Sequence, residues 1–173
     1  MKNRFVPYSQ FLDVTKKGWK IRACGVASLA MVLDYYGNKK TSIDELIDHG
    51  ISIGAHNKEV GWIHSGIVNI ANHKGFIGER HDWANIDKEI AFQKMDSLLS
   101  DGPVIASIHK NFNPKLSGHL VVVKTKNRTH VSILDPIARK REHIERDVPV
   151  EVFLAGWKQR VIMVRPNIAN RKK

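Results

Sequence analysis

Apolar and polar positions along this 173-residue chain change their period a little past the middle. In the first part they recur at helical spacing. Over residues 24–36, Val26, Leu29, Val32, Leu33 and Tyr36 share one broad helical face, and Gly37 is a natural C-terminal stop. Ser42-Ile43-Asp44-Glu45 has the form of a capping box and predicts a short helix to about His49. Gly50 to Gly61 holds three glycines and reads as a loop. Ile67, Ile70 and Ala71 predict a helix from about His64 to Lys74, ended by Gly75. Ile90, Met95, Leu98 and Leu99 predict another from Ile86 to Ser100, with Asp87 near its start.

Asp101-Gly102-Pro103 then turns the chain into β-branched apolar runs. Strands are expected over Val104–His109, His119–Lys124, His130–Leu134 and Val161–Arg165, with a short helix over Pro149–Trp157. Asn127-Arg128 reads as a hairpin turn between the second and third strands. The fold class is α+β: a helical lobe followed by a twisted antiparallel sheet with at least one face buried.

Onto that frame falls the candidate chemistry. Cys24 is the chain's one cysteine, and it stands where the first helix begins. Unpaired N–H groups and the positive end of the helix dipole stabilise a thiolate there. His119 opens one strand and Asp135 closes the next. The hairpin between them returns the chain to its starting level, so the two side chains come close although they are sixteen residues apart. A Cys, a His and an Asp in that order are the parts of a cysteine hydrolase. Each alone has a plainer reading: a buried small thiol, a satisfied core histidine, a turn-forming aspartate before Pro136.

The run Cys24-Gly25-x-Ala27-Ser28-Leu29-Ala30-Met31-Val32-Leu33-x-Tyr35-Tyr36-Gly37, the strand Gly118-His119-Leu120-Val121-Val122-Val123 and the pair Asp135-Pro136 resemble the double-glycine leader peptidases. These are bacterial papain-like cysteine peptidases, often fused to bacteriocin exporters. The likeness extends from about Val6 to Pro166. It implies a two-lobed papain-like fold, Cys24 as nucleophile, His119 as general base and acid, and Asp135 as the residue orienting the histidine. Such peptidases usually carry an oxyanion-binding glutamine six residues before the cysteine, a position held here by Gly18. Gln10, in Pro7-Tyr8-Ser9-Gln10, matches the family's N-terminal segment if Asp13 to Trp19 is an insertion. Its alternative is an ordinary surface glutamine, which leaves the Cys24 N–H as one oxyanion donor.

Composition narrows the partners. A chain of this length fits one domain, residues 1–173, with a basic tail over about 167–173. A 42% hydrophobic content argues against disorder, and no apolar run approaches the roughly 20 residues of a membrane span. No apolar segment follows Met1-Lys2-Asn3-Arg4-Phe5, so no secretory signal is visible and a cytoplasmic location is expected. One cysteine allows no thiolate cluster, the histidines lack zinc-helix spacing, and no cofactor is implied. His56 and His64 flank Trp62 and are candidates to line the cleft, with exposed positions the simpler expectation.

The net charge of +11 comes from scattered basic residues without a nucleic-acid-binding motif, so specific nucleic-acid binding is not expected. The expected partner is a peptide or protein substrate. No transporter segment accompanies the domain, which leaves a transporter as a separate partner. The alternatives are a noncatalytic peptide-binding module and an acyl-transfer enzyme, amidase-like or transglutaminase-like, on the same fold.

Overall fold

The computed structural model describes residues 4–37 and 42–167. The basic tail expected over 167–173 lies outside the described residues except for Asn167. The elements are α1 (Cys24–Tyr35), α2 (Ile43–Ser52), β1 (His56–Asn57), β2 (Gly61–Trp62), α3 (His64–His73), β3 (Phe76–Asp82) and α4 (Lys88–Leu99). There follow β4 (Val104–His109), β5 (Gly118–Lys126), β6 (His130–Leu134), β7 (Glu145–Pro149), α5 (Val150–Gly156) and β8 (Trp157–Pro166).

Six strands form one antiparallel sheet in the order β3-β8-β4-β5-β6-β7. Both of its faces are covered. Ile105, Leu120, Val122, Leu134, Ile162 and Val164 join the core built with α1, α2 and α3. The intervening Val104, Ala106, Val121, Val123, Ile133 and Val161 join a second core with Met95 of α4 and Phe153 of α5. Successive side chains on a strand point to opposite faces, so a strand covered on both sides reads as an unbroken apolar run. Val121-Val122-Val123 is such a run. Burying a Val or Leu side chain stabilises by about 1.5–3 kcal/mol, so these rows are the main support of the sheet.

Helix α1 lies against β5. Its residues Gly25 to Asp34 are all buried, so it carries no solvated face, in contrast to the single broad face expected. Helix α2 begins as the capping box predicts, with Ser42 Oγ accepting from the Glu45 N–H at 3.1 Å. It does not stop at His49 but continues through Gly50 to Ser52. The reason is tertiary. A Cβ on Gly50 would lie 2.5 Å from Trp62 Cζ3, and one on Gly25 would lie 2.8 Å from Trp62 Cγ. Both glycines make room for one indole, and Gly50 marks that contact instead of a helix end. The rest of the expected loop contains the two-stranded β1–β2 ribbon, with His56 paired to Trp62.

Asp87 caps α4, its Oδ1 accepting from the Ile90 N–H at 3.0 Å. Ile90, expected on the apolar face, is exposed, and Ala91 and Met95 carry the packing. The sheet's two outer strands, β3 and β7, fall in segments given no strand by the sequence pattern. Strand β8 starts at Trp157, four residues before the expected Val161. Its ladder with β4 is interrupted: Ser107 pairs with Arg160 and Ile108 with Trp157, so Lys158 and Gln159 bulge out of register. Gln159 has φ 55°, and its Nε2 donates to Trp83 O and Ile86 O, each at 2.9 Å, which holds the bulge in place.

Candidate active site

Cys24 is the first residue of α1, following Ala23, whose side chain makes no cap. The helix's leading N–H groups therefore point at the thiol's surroundings without a side-chain acceptor. Ser28, one turn on, donates its Oγ proton to Leu120 O at 3.2 Å and ties the helix to the strand just after His119. His119 is 5% exposed and Asp135 is 3% exposed. His119 Nε2 donates to Asp135 Oδ1 at 2.7 Å. Cys24 lies close enough to His119 for each to shift the other's pKa, and both line one cleft. His119 and Asp135 meet, and Cys24 lines the same cleft as His119.

Hydrogen bonding and charge settle the protonation of this group. Burial opposes ionisation of the Cys24 thiol, but the hydrogen bond and charge of His119 outweigh it, with the Leu120 and Gly25 backbone adding to them. The thiol pKa is lowered from its ordinary value. Burial pulls His119 down, yet its bonds to Asp135 and Cys24 raise it to about 9. Burial likewise opposes the Asp135 charge, while His119 and then Arg146 hold its pKa at about 2. The shifts all run in the direction of a thiolate beside an imidazolium and a carboxylate.

Arg146 escaped the sequence reading. Its Nη2 donates to Asp135 Oδ2 at 2.8 Å, and the Ile137 N–H donates to Asp135 Oδ1 at 3.1 Å. Strand β7 places Arg146 opposite Ile133, two residues before Asp135. Because β7 lacks an apolar period, nothing in the local sequence announces this partner.

Gln10 is buried at 2% exposure, not a surface residue. Its N–H donates to Pro136 O at 2.8 Å, so it sits beside the turn that follows Asp135. The segment around it is stapled to the same turn: Ser9 Oγ donates to Ala138 O at 2.6 Å, and Arg141 Nη1 donates to Pro7 O at 3.0 Å. The Gln10 Oε1 is sealed from solvent with no hydrogen-bond partner among the described residues.

A cleft of ≈ 560 Å³ opens over Cys24 and His119. Trp62 floors one side, its Nε1 donating to Arg22 O at 2.6 Å. His56 packs edge-on between Trp19 and Trp62, with ring centroids 4.9 and 5.1 Å away. His56 and His64 both line the cleft, where surface positions were expected. Burial lowers the pKa of each, and the charges of Arg22 and Arg160 respectively lower it further, so both rings are neutral at pH 7.

A thiol at a helix start beside a histidine that is bonded to a buried carboxylate, on helices packed against an antiparallel sheet, is the arrangement of papain-like cysteine peptidases. The Peptidase_C39 like family model matches residues 2–162, and the chain belongs to that family. The fold is that of C39 peptidase domains. The peptidase domain of Streptococcus ComA, a bifunctional ABC transporter of a quorum-sensing pathway, superposes with a TM-score of 0.62 at 24% identity, over 85% of this chain and 93% of that one. A double-glycine-motif protease from an AMS/PCAT transporter, solved with its leader peptide, gives 0.62 at 20% identity, over 96% and 94%. A C39-like peptidase structure from Bacillus anthracis gives 0.65 at 18% identity, over 94% of each chain. No curated protein matches the sequence. No helix among the described residues is long and apolar enough to cross a membrane.

Proposed function

We propose that this chain is a cysteine peptidase that cleaves leader peptides after small residues such as a Gly-Gly pair. The observation that carries the reading is the His119–Asp135 bond of 2.7 Å, with Cys24 and His119 lining one cleft. In this mechanism the Cys24 thiolate attacks the scissile carbonyl. His119, protonated in the resting pair, gives its proton to the leaving amine, and the C–N bond breaks. Water, deprotonated by His119, then attacks the thioester and releases the carboxylate with the thiol restored. Asp135 keeps the imidazole in one tautomer and balances its charge.

The oxyanion is assigned to the Cys24 N–H and the Gln10 side-chain amide. The support for Gln10 is its burial beside Pro136 and the several bonds holding its segment there. Gln10→Ala is expected to lower kcat by roughly 10²–10³ with folding intact. It should leave Cys24 alkylation nearly unchanged, because the amide acts on the tetrahedral intermediate and not on the thiol. An unaltered kcat removes Gln10 from the site.

The pH profile follows from the shifted groups. Below the lowered Cys24 pKa the nucleophile is protonated and inactive. Above about 9, His119 has lost the proton it must deliver. The kcat/KM profile should be a bell whose acid limb lies below the ordinary thiol range and whose alkaline limb lies near 9.

The direct test is labelling by a peptide vinyl sulfone, which should modify Cys24 and fail with Cys24→Ala. Cleavage should yield free carboxylate without an added amine. Turnover that requires an amine acceptor makes the enzyme a transferase, and peptide binding with neither labelling nor turnover makes it a noncatalytic module. We read residues 1–173 as a single peptidase domain acting in the cytoplasm, where leader-bearing peptides are made.

A further inference from the structure

The cleft over Cys24 is lined by Arg22, Lys58, Lys158 and Arg160, and by no carboxylate. Arg160 is committed elsewhere, its Nε donating to Asp82 Oδ2 at 2.8 Å. Arg22, Lys58 and Lys158 form no ion pair among the described residues. Elsewhere, lysines and arginines do find carboxylates: Lys124 pairs with Glu145, Lys126 with Asp96, and Arg141 with Asp13. Three of the four cations lining the cleft thus have no carboxylate partner among the described residues.

Lys158 is the best placed of them. It belongs to the bulge in which β8 skips two residues against β4. Bulges beside active sites re-aim side chains, and this one carries the Lys158 ammonium over the start of β5. A Cβ on Gly118 would lie 3.3 Å from Lys158 Nζ. Gly118 immediately precedes His119. The lysine therefore projects over the histidine's end of the cleft, held there by a bulge that Gln159 fastens with two hydrogen bonds. A fixed cation in a partly enclosed cleft attracts an anion more strongly than one on an open surface, because field lines concentrate between low-dielectric walls.

The mechanism gives this position a meaning. His119 delivers its proton to the leaving amine, so the residues beside His119 flank the segment that leaves. We infer that the cleft selects peptides carrying carboxylates just after the scissile bond, and that Lys158 is the residue that reads them. This acidic substrate class deepens the proposed peptidase reading and rests on it for which side of the bond is read. Arg22 and Lys58, which also line the cleft, add to the same attraction for an acidic peptide. Exposed Ile21 and Val60 in the same lining supply apolar contact area.

The test is binding to the Cys24→Ala protein, which needs no turnover. The probes are short peptides carrying Gly-Gly followed by Glu-Glu, Gln-Gln or Lys-Lys, with a single-stranded oligonucleotide as a competing polyanion. The Glu peptide should bind about fivefold to tenfold more tightly than the Gln peptide at low salt. The ratio should fall toward one at high salt, where screening acts within a few ångströms. Adding Lys158→Met should bring the ratio close to one, and Lys158→Glu should make the Lys peptide the tighter ligand. Both variants should keep the circular dichroism spectrum. Equal affinity for Glu and Gln peptides overturns the inference, as does a Glu preference that survives both Lys158 substitutions. Oligonucleotide binding without peptide binding overturns it too and assigns the cleft to nucleic acid. If the wild-type protein cleaves none of these peptides while the affinity order holds, the peptidase reading fails and the acidic selectivity stands.

Discussion

His119→Ala should reduce peptide turnover by about 10⁴-fold or more, since it removes the base, the acid and the partner of the thiolate together. It should also change the thiol before any substrate arrives. In the native site the His119 hydrogen bond and charge overcome a burial that opposes ionisation. Without them, burial is opposed only by the Leu120 and Gly25 backbone, and the thiol pKa rises. A free thiol of pKa about 8.5 is only about 0.3% thiolate at pH 6. Iodoacetamide alkylation of Cys24 at pH 6 should therefore slow by about tenfold or more in the variant. Thiolate nucleophilicity changes in the opposite sense and makes this a smaller figure than the ionised fractions alone suggest. Equal alkylation rates for the two proteins would show that no Cys24–His119 ion pair exists.

Asp135→Ala should lower kcat by about 10²–10⁴-fold, because the imidazole loses the acceptor that fixes its tautomer and balances its charge. The carboxylate is also one of the causes of the raised His119 pKa, so the alkaline limb should move below about 9. A purely structural defect would not move that limb while leaving the acid one in place. Stability should fall as well, since Arg146 and the Ile137 N–H lose their shared acceptor. In the native protein the sign of the pH dependence is set by the lowered Asp135 pKa. Its contribution is present above the ordinary carboxyl value and is lost as pH falls toward about 2. Asp135→Asn tests the charge separately: its amide oxygen still accepts from Nε2, so orientation should recover more than the pH profile does.

Burial of the sheet on both faces explains how a short chain holds this group rigidly. His119 and Asp135 extend from strands whose Leu120, Val122 and Leu134 lie in the core shared with α1, the helix that begins with Cys24. Thiol and imidazole are thus presented by two elements packed directly on each other, and not by loops.

What the sequence alone determined is whatever depends on short range. A cysteine before an apolar helical run, capping residues at Ser42 and Asp87, and a hairpin turn at Asn127 act within a few residues. Asn127 bears this out, its Oδ1 accepting from the Thr129 and His130 N–H groups, both at 2.8 Å. The position of Cys24 at a helix start and the approach of His119 to Asp135 follow from these local rules. Tertiary structure decided the rest. Strands β3 and β7 are the sheet's edges, and edges are kept polar to discourage further pairing. Phe76–Asp82 and Glu145–Pro149 therefore carry little apolar alternation, and with β7 the Arg146 partner of Asp135 stayed out of sight. Gly50 looked like a stop because the Trp62 indole that occupies the space beside it is twelve residues away. Lys158 looked like one of many scattered cations until a bulge between β8 and β4 placed it over Gly118. Local preferences act between neighbours on the chain, whereas these three placements depend on which distant segments the folded sheet brings side by side.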